Sequence, residues 1–443
     1  MKFKIFIIIT LVILAFIFLL FFLRIHQPNK KSINSPQVVI IGLDGAGWNL
    51  INPLLEDKKL PNLRNLMKKG SYGTLKTIKP TKSAVIWTSI ATGKSMVKHG
   101  IVDWTYVNNN NIVVPYRRSE RRAKTFWNIL SEKGIRVGVI NWFITFPPEK
   151  VNGFMVSEEF RHGGRRDLSE IKVTYPRGLQ KKLHFTFQNK KDFPKILEEE
   201  KMPDYRRWEW IGEGPKKLAP FFANFVIQEK TVELASLYLY KKFLVDVFAT
   251  YFRLIDVVSH FACGYIDPQL LEKGMEEEKK GEVSKETLAL IDRAFSKIVE
   301  PIYSYSDRIL GRFLKLTNSQ TTFIVISDHG FCFHNGGYGH YDTPRIPHGI
   351  ILIKGPHIKK RYKIRNAHIY DIAPTILYLL DLPVAKDMDG KVLTEVFEEG
   401  FLKKRPIRYI ESYEGEVGVK EEERKKVLDE KLLEELRALG YIK

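Results

Sequence analysis

The chain is poor in cysteine: Cys263 and Cys332 are the only two among 443 residues. No disulfide framework can staple a fold of this size, so stability must come from a hydrophobic core. Each cysteine stands three residues after a histidine, His260 and His329; pairing with each other or a place near a metal are the alternatives to the expected reading as buried free thiols. Glutamine is also scarce, with seven against abundant Lys, Glu and Ile, a composition that leans toward a heat-adapted source. After the first two dozen residues no run is long and apolar enough to span a membrane, because Lys241, Lys242 and Asp246 interrupt the best later candidate. A Gly-x-Ser-x-Gly elbow is missing, which leaves a Ser-His-Asp hydrolase unsupported. Internal repeats and low-complexity tracts are missing as well.

What is present describes a globular protein, with 44% hydrophobic and 28% charged residues. The length suits one large α/β domain with an insertion. A formal charge of +20 points to anionic surroundings or substrates. Lys and Arg are spread along the chain, and no helix-turn-helix, RNA-recognition motif or zinc finger occurs, so specific nucleic-acid binding is not expected. The first charged residues are Lys2 and Lys4, followed by nineteen uncharged residues from Ile5 to Leu23. As a helix this run spans roughly 28 Å, about one hydrocarbon core. No small-x-small cleavage site follows, so residues 1–24 are expected to remain as a transmembrane anchor in contact with membrane lipid. Arg24, Lys30 and Lys31 oppose Lys2 and Lys4, so charge does not orient the anchor; the expectation is an extracytoplasmic catalytic domain. Residues 25–36, with Pro28 and Pro36, form a polar linker.

From residue 37 onward, strand and helix signals alternate. Val38 to Leu43 is a short apolar run ending in Asp44, suited to a strand buried on both faces. Leu60 to Lys69 has helical spacing and stops at Gly70; Ser83 to Thr92 stops at Gly93; another helix is expected near Lys124–Lys133. Ile135 to Asn141, Thr321 to Ser327 (followed by Asp328) and Ile350 to Ile353 read as further strands, and His368 to Leu380 as a helix. This alternation predicts an α/β fold with a doubly wound, mostly parallel sheet flanked by helices. Residues from about 155 to 245 show no clear period and are expected to form an inserted cap. The charged stretch Lys420–Leu439 is expected to be an amphipathic helix with Leu428, Leu432, Leu433 and Leu436 on one stripe.

Two expected strands end in carboxylates, Asp44 and Asp328, where open α/β sheets place their ligand crevice. A lone Asp there is an ordinary helix cap, but Asp328 is followed at once by His329 and Gly330. Asp256 and His260 have i,i+4 spacing, which on a helix sets carboxylate and imidazole on one face, as a metal pair or a surface ion pair. Lys79 to Lys94 sets small hydroxyl residues between a turn and an apolar helix. Such a hydroxyl needs a base or a metal before it becomes a nucleophile.

Read together, these segments resemble the alkaline-phosphatase superfamily, nearest its branch of type I phosphodiesterases and nucleotide pyrophosphatases. The pieces carrying the resemblance are Ile40-Ile41-Gly42-Leu43-Asp44-Gly45, Leu60-Pro61-Asn62-Leu63, Pro80-Thr81-Lys82-Ser83, Trp87 to Gly93 and His99-Gly100-Ile101. Asp256 with His260, Ser327-Asp328-His329-Gly330, Gly355-Pro356 and Asp371 to Thr375 follow in order. The resemblance implies that Asp44, Asp328, His329 and Ser83 hold one divalent metal, with Ser83 as nucleophile. Asp256 and His260 would hold a second with one more histidine. His334, His340 and His348 lie in the window where the family supplies it; His340, within Gly339-His340-Tyr341-Asp342, is the expected ligand and His348 the alternative. The ions implied are zinc.

Three carboxylates and neutral histidines around two dications leave a net charge near +1, a field that stabilises a serine alkoxide and attracts phosphate. The activity implied is phosphodiesterase or nucleotide pyrophosphatase hydrolysis of a nucleotide or other phosphodiester through a phosphoserine. A membrane-anchored phospho-group transferase and a non-catalytic phosphate-binding relative are the competing readings. Thr81 and Thr88 are rivals of Ser83 by a slip of register. Relatives often carry Asn three residues after the nucleophile, where this chain has Ile86. Sulfatases need x-Pro-x-Arg after a modified residue, and Ala84-Val85-Ile86-Trp87 disfavours that activity.

Overall fold

The computed structural model describes residues 37–108, 111–163, 168, 171–205, 213–340, 345 and 347–414. The expected anchor, linker and C-terminal amphipathic helix lie outside these residues. No described helix is long and apolar enough to cross a membrane.

A nine-stranded sheet forms the centre. Its order is Tyr362–His368, Ser71–Lys76, Gly349–Lys354, Thr322–Ile326, Val38–Leu43, Val247–Phe252, Val137–Ile140, Gly153–Val156 and Thr174–Tyr175. Gly349–Lys354 runs antiparallel to both its neighbours and Thr174–Tyr175 antiparallel to Gly153–Val156; the other pairings are parallel. The expected mostly parallel sheet is therefore present.

The central strand Val38–Leu43 is buried at every position. Val39, Ile41 and Leu43 face one apolar layer and Val38 and Ile40 the other, as the period of two requires. The first layer is covered by the helices Trp48–Glu56, Pro61–Lys69, Leu254–Ala262 and Lys285–Leu314, with residues of Glu213–Lys242. Ser83–Thr92, Phe126–Glu132 and Ile372–Leu379 cover the second. Apolar sequence on both faces leaves the carboxyl ends of the strands as the place where polar side chains gather.

The stretch around residues 155–245 continues the sheet with Thr174–Tyr175 and supplies the thirty-residue helix Glu213–Lys242. Phe222, Phe225, Val226, Val232 and Leu239 of that helix lie in the same apolar layer as the central strand. Gln228, Glu229, Lys230 and Glu233 are buried too. Lys230 pairs with Glu200 and Glu233, and Glu229 accepts the backbone N–H groups of Arg253 and Leu254 at 3.2 Å each. Buried charge on the core side hides the helical period from the sequence.

Candidate metal and nucleophile site

Asp44 follows the central strand and is buried. Gly45 turns the chain behind it with φ +76°, and a Cβ there would lie 2.9 Å from the Asp256 Cα, so only glycine fits. The neighbouring strand ends at Ile326, and Ser327 stitches the two strand ends together. Its hydroxyl accepts the Ala46 N–H at 2.9 Å and donates to the His329 carbonyl at 2.8 Å. Asp328 and His329, both fully buried, are thereby held beside Asp44. Ser83 opens the helix Ser83–Thr92, which has no side-chain N-cap, so its amino end remains available to an anion.

These four groups converge. Ser83 Oγ lies 3.4 Å from Asp44 Oδ1 and 3.3 Å from His329 Nε2. His329 Nε2 lies 3.4 Å from Asp44 Oδ1 and 3.4 Å from Asp328 Oδ2. His329 Nδ1 sits 3.1 Å from the Gly330 carbonyl. A carbonyl can only accept, so Nδ1 carries a proton and Nε2 is the ring atom turned to the centre.

The second set gathers around the helix Leu254–Ala262. His260 Nε2 is 3.4 Å from Asp256 Oδ1, and His340 Nε2 is 3.0 Å from His260 Nε2 and 3.8 Å from Asp256 Oδ1. His340 follows the hairpin of Cys332–His334 and Gly337–Gly339. Two bonds fix it to the nucleophile loop: its Nδ1 donates to the Thr81 carbonyl at 2.9 Å, and the Thr81 hydroxyl donates to the His340 carbonyl at 2.9 Å. The two sets adjoin, with Asp256 Oδ1 3.9 Å from His329 Nε2.

Each expected site residue therefore lies in one of these two sets. His348 is not in either: its Nδ1 accepts the Thr77 N–H at 3.2 Å. His334 faces Glu278, 2.7 Å from its Oε1. Neither rival hydroxyl faces the site as Ser83 does, since Thr81 donates to His340 and Thr88 to the Ala84 carbonyl at 2.7 Å. Ile86 is fully buried in the second apolar layer. Ser89 and His99, 2.9 Å apart, look like a second nucleophile pair. The Ile101 N–H occupies His99 Nδ1, so Nε2 carries the proton and donates to Ser89; the ring is no base for that hydroxyl.

The electrostatics are those of crowded acids. Burial first, then the neighbouring Asp328 and Asp256, raise the Asp44 carboxyl well above its ordinary range. Burial likewise pushes Asp328 up to about 7. For Asp256 burial also raises, but His260, His340 and His329 outweigh it and hold the group well below the carboxylate range. Burial, with His329 and His260, keeps His340 neutral. Three buried carboxylates facing imidazole nitrogens make a donor set that suits a cation better than water or protons.

The spacing supports that fit. Two ligand atoms of a tetrahedral zinc are about 3.4 Å apart, from bond lengths of about 2.0–2.1 Å. The Asp44, Asp328, His329 and Ser83 distances of 3.3–3.4 Å match that edge. The second triangle brackets it at 3.0, 3.4 and 3.8 Å. Asp256, His260 and His340, and Asp44, Asp256 and His329, form groups whose ligand atoms lie within 4.8 Å of one another.

Tyr251, on the strand Val247–Phe252, was not singled out by sequence; its hydroxyl donates to Asp44 Oδ2. In the run Val-Phe-Ala-Thr-Tyr-Phe it reads as one more buried strand residue, and no sequence signal marks its polar tip. Thr81, seen in the sequence only as a rival nucleophile, instead carries His340.

The sequence profile described as Type I phosphodiesterase / nucleotide pyrophosphatase matches residues 38–338. Among solved structures, a phosphonate monoester hydrolase from Silicibacter pomeroyi is similar at 13% identity, covering 83% of this chain and 78% of the other, with a TM-score of 0.47. Human ectonucleotide pyrophosphatase / phosphodiesterase 5 is similar at 13% identity over 82% of this chain and 100% of that one, with a TM-score of 0.46. Phosphonoacetate hydrolase from Sinorhizobium meliloti, at 16% identity, covers 67% of this chain and 57% of its own, with a TM-score of 0.37.

Proposed function

This chain belongs to the type I phosphodiesterase / nucleotide pyrophosphatase family, within the alkaline-phosphatase superfamily, and we propose that it cleaves phosphodiester or nucleotide pyrophosphate bonds through a phosphoserine at Ser83. The observation that carries this reading is the Ser83 hydroxyl, buried 3.4 Å from Asp44 Oδ1 and 3.3 Å from His329 Nε2 at a helix amino end. Asp44, Asp328, His329 and Ser83 would hold one divalent ion; Asp256, His260 and His340 would hold the other, with a fourth position open. Zinc fits this donor set of nitrogen and carboxylate oxygen. Bound there, two dications supply positive charge that favours the ionised serine and offsets charge on the phosphoryl group.

The chain's own groups do the rest. His329 and His340 keep their Nδ1 protons on backbone carbonyls, so their Nε2 atoms remain oriented. Ser83 Oγ bonds to phosphorus while the bond from phosphorus to the leaving oxygen breaks; water then cleaves the Oγ–P bond and frees the serine. The Val85 and Ile86 N–H groups go to the Lys82 carbonyl, which leaves the Ser83 and Ala84 amides at the start of Ser83–Thr92 as the donors that would meet phosphoryl oxygens. The apolar run Ile5 to Leu23 supports a membrane anchor; the extracytoplasmic side is our proposal for the catalytic domain.

Metal analysis with a substrate panel tests the proposal. The protein is expected to hold two divalent ions per chain and to cleave phosphodiesters faster than phosphomonoesters. Full activity after exhaustive chelation would refute the two-metal reading, and a monoester preference would refute the assignment to diesters.

A further inference from the structure

Tyr251 lies wholly within the protein, and its ring is fixed on every side that matters for aim. It stands opposite Gly42 in the parallel pairing of Val38–Leu43 with Val247–Phe252. Gly42 is two residues before Asp44, on the same face of the strand. A Cβ at Gly42 would lie 2.6 Å from the Trp87 ring and 3.4 Å from the Tyr251 ring, so the missing side chain gives both rings room beside the central strand. Trp87 meets Tyr251 edge-on with ring centroids 4.9 Å apart, and Phe143 packs against it at 4.9 Å. The Asn141 amide donates to the Tyr251 carbonyl at 3.0 Å and pins the backbone. A ring so held has little freedom, and its hydroxyl donates to Asp44 Oδ2.

The other oxygen of the same carboxylate, Oδ1, is the one near Ser83 Oγ and His329 Nε2. We infer that Tyr251 is a positioning residue for Asp44, holding Oδ2 so that Oδ1 is presented to the cation that Asp328 and His329 would share. The inference rests on the two-metal reading above. A hydrogen bond from outside a metal site orients the ligand before the ion arrives, and its loss typically costs 10–100-fold in metal affinity. The second set is held elsewhere, His340 by the Thr81 carbonyl at 2.9 Å and Asp256 with His260 on the helix Leu254–Ala262, so the second ion serves as an internal control.

The test is Tyr251→Phe in the full-length protein, stripped of metal and titrated with Zn2+ against a chromophoric chelator. The ring and its packing remain and only the hydroxyl is lost. Affinity is expected to fall about tenfold or more at one of two sites, with the other unchanged. The melting temperature of the metal-free variant is expected to stay close to that of the parent. Unchanged binding at both sites overturns the inference, and an equal loss at both sites assigns Tyr251 to packing and overturns it as well. A parent protein that binds no Zn2+ refutes the metal reading itself, a result distinct from either.

Discussion

At the residue scale the site is defined by groups that are unfavourable where they stand. Asp44 and Asp328 are carboxylates with almost no exposed surface, and Asp328 is pushed up to about 7, chiefly by burial. In the unfolded chain such a group has shed its proton above its ordinary 3.8. Between about pH 4 and 7 the folded, metal-free protein therefore binds a proton that the unfolded chain does not. The Asp328 contribution to stability is present at the acid end of that window and is lost as pH rises through it. Glu229, raised to about 7 by burial, acts in the same direction. Burial holds His99 at about 3 and His340 well below its ordinary value, and these rings act the other way, so the acid is read by difference: in chelator, the parent should lose more stability, or gain less, between pH 5 and 7 than Asp328→Asn does. Excess divalent ion, which binds the deprotonated carboxylates of the folded state alone, should narrow or reverse the difference. The same pH dependence in Asp328→Asn as in the parent would show this acid ionised and otherwise compensated.

At the element scale, much of the site was legible in the sequence because each part sits at an element end with a strong local signal. The strand Val38–Leu43 is all apolar and ends in Asp44; Thr322–Ile326 does the same before Asp328; Gly70 and Gly93 follow the helices they stop. Asp256 and His260 fall on one face of Leu254–Ala262, and the structure puts their ligand atoms 3.4 Å apart. Spacing could not choose among His334, His340 and His348, because that choice depends on how a hairpin packs. The bonds joining Thr81 and His340 bring two segments together across 259 residues, and no local pattern encodes such a contact. Alanine variants should reproduce this geometry. Asp256→Ala, His260→Ala and His340→Ala should each lower the occupancy of one ion, while His348→Ala leaves both in place. Removing a direct ligand should weaken that ion by at least the 10–100-fold typical of an outer-shell loss. Loss of an ion in His348→Ala, with both kept in His340→Ala, would reassign the ligand.

At the scale of the whole molecule, the sheet brings acids more than 280 residues apart in sequence to one crevice. Asp44 and Asp328 follow adjacent parallel strands, and Asp256 follows the next strand over. The stretch around 155–245 was opaque because its long helix buries Glu229, Lys230 and Glu233 in ion pairs and backbone contacts, so charge no longer marks the outer face. Tyr251 escaped for the converse reason, since its ring packs as an apolar residue while its hydroxyl reaches the site. The account as a whole turns on one atom, Ser83 Oγ. The most direct measurement is acid quench during turnover with excess phosphodiester substrate, followed by peptide mapping and by the stereochemical outcome with a substrate chiral at phosphorus. The account predicts phosphate on the peptide containing Ser83 and retention at phosphorus, from two successive displacements. An unmodified Ser83 peptide together with inversion would mean that water attacks phosphorus directly, and would contradict it.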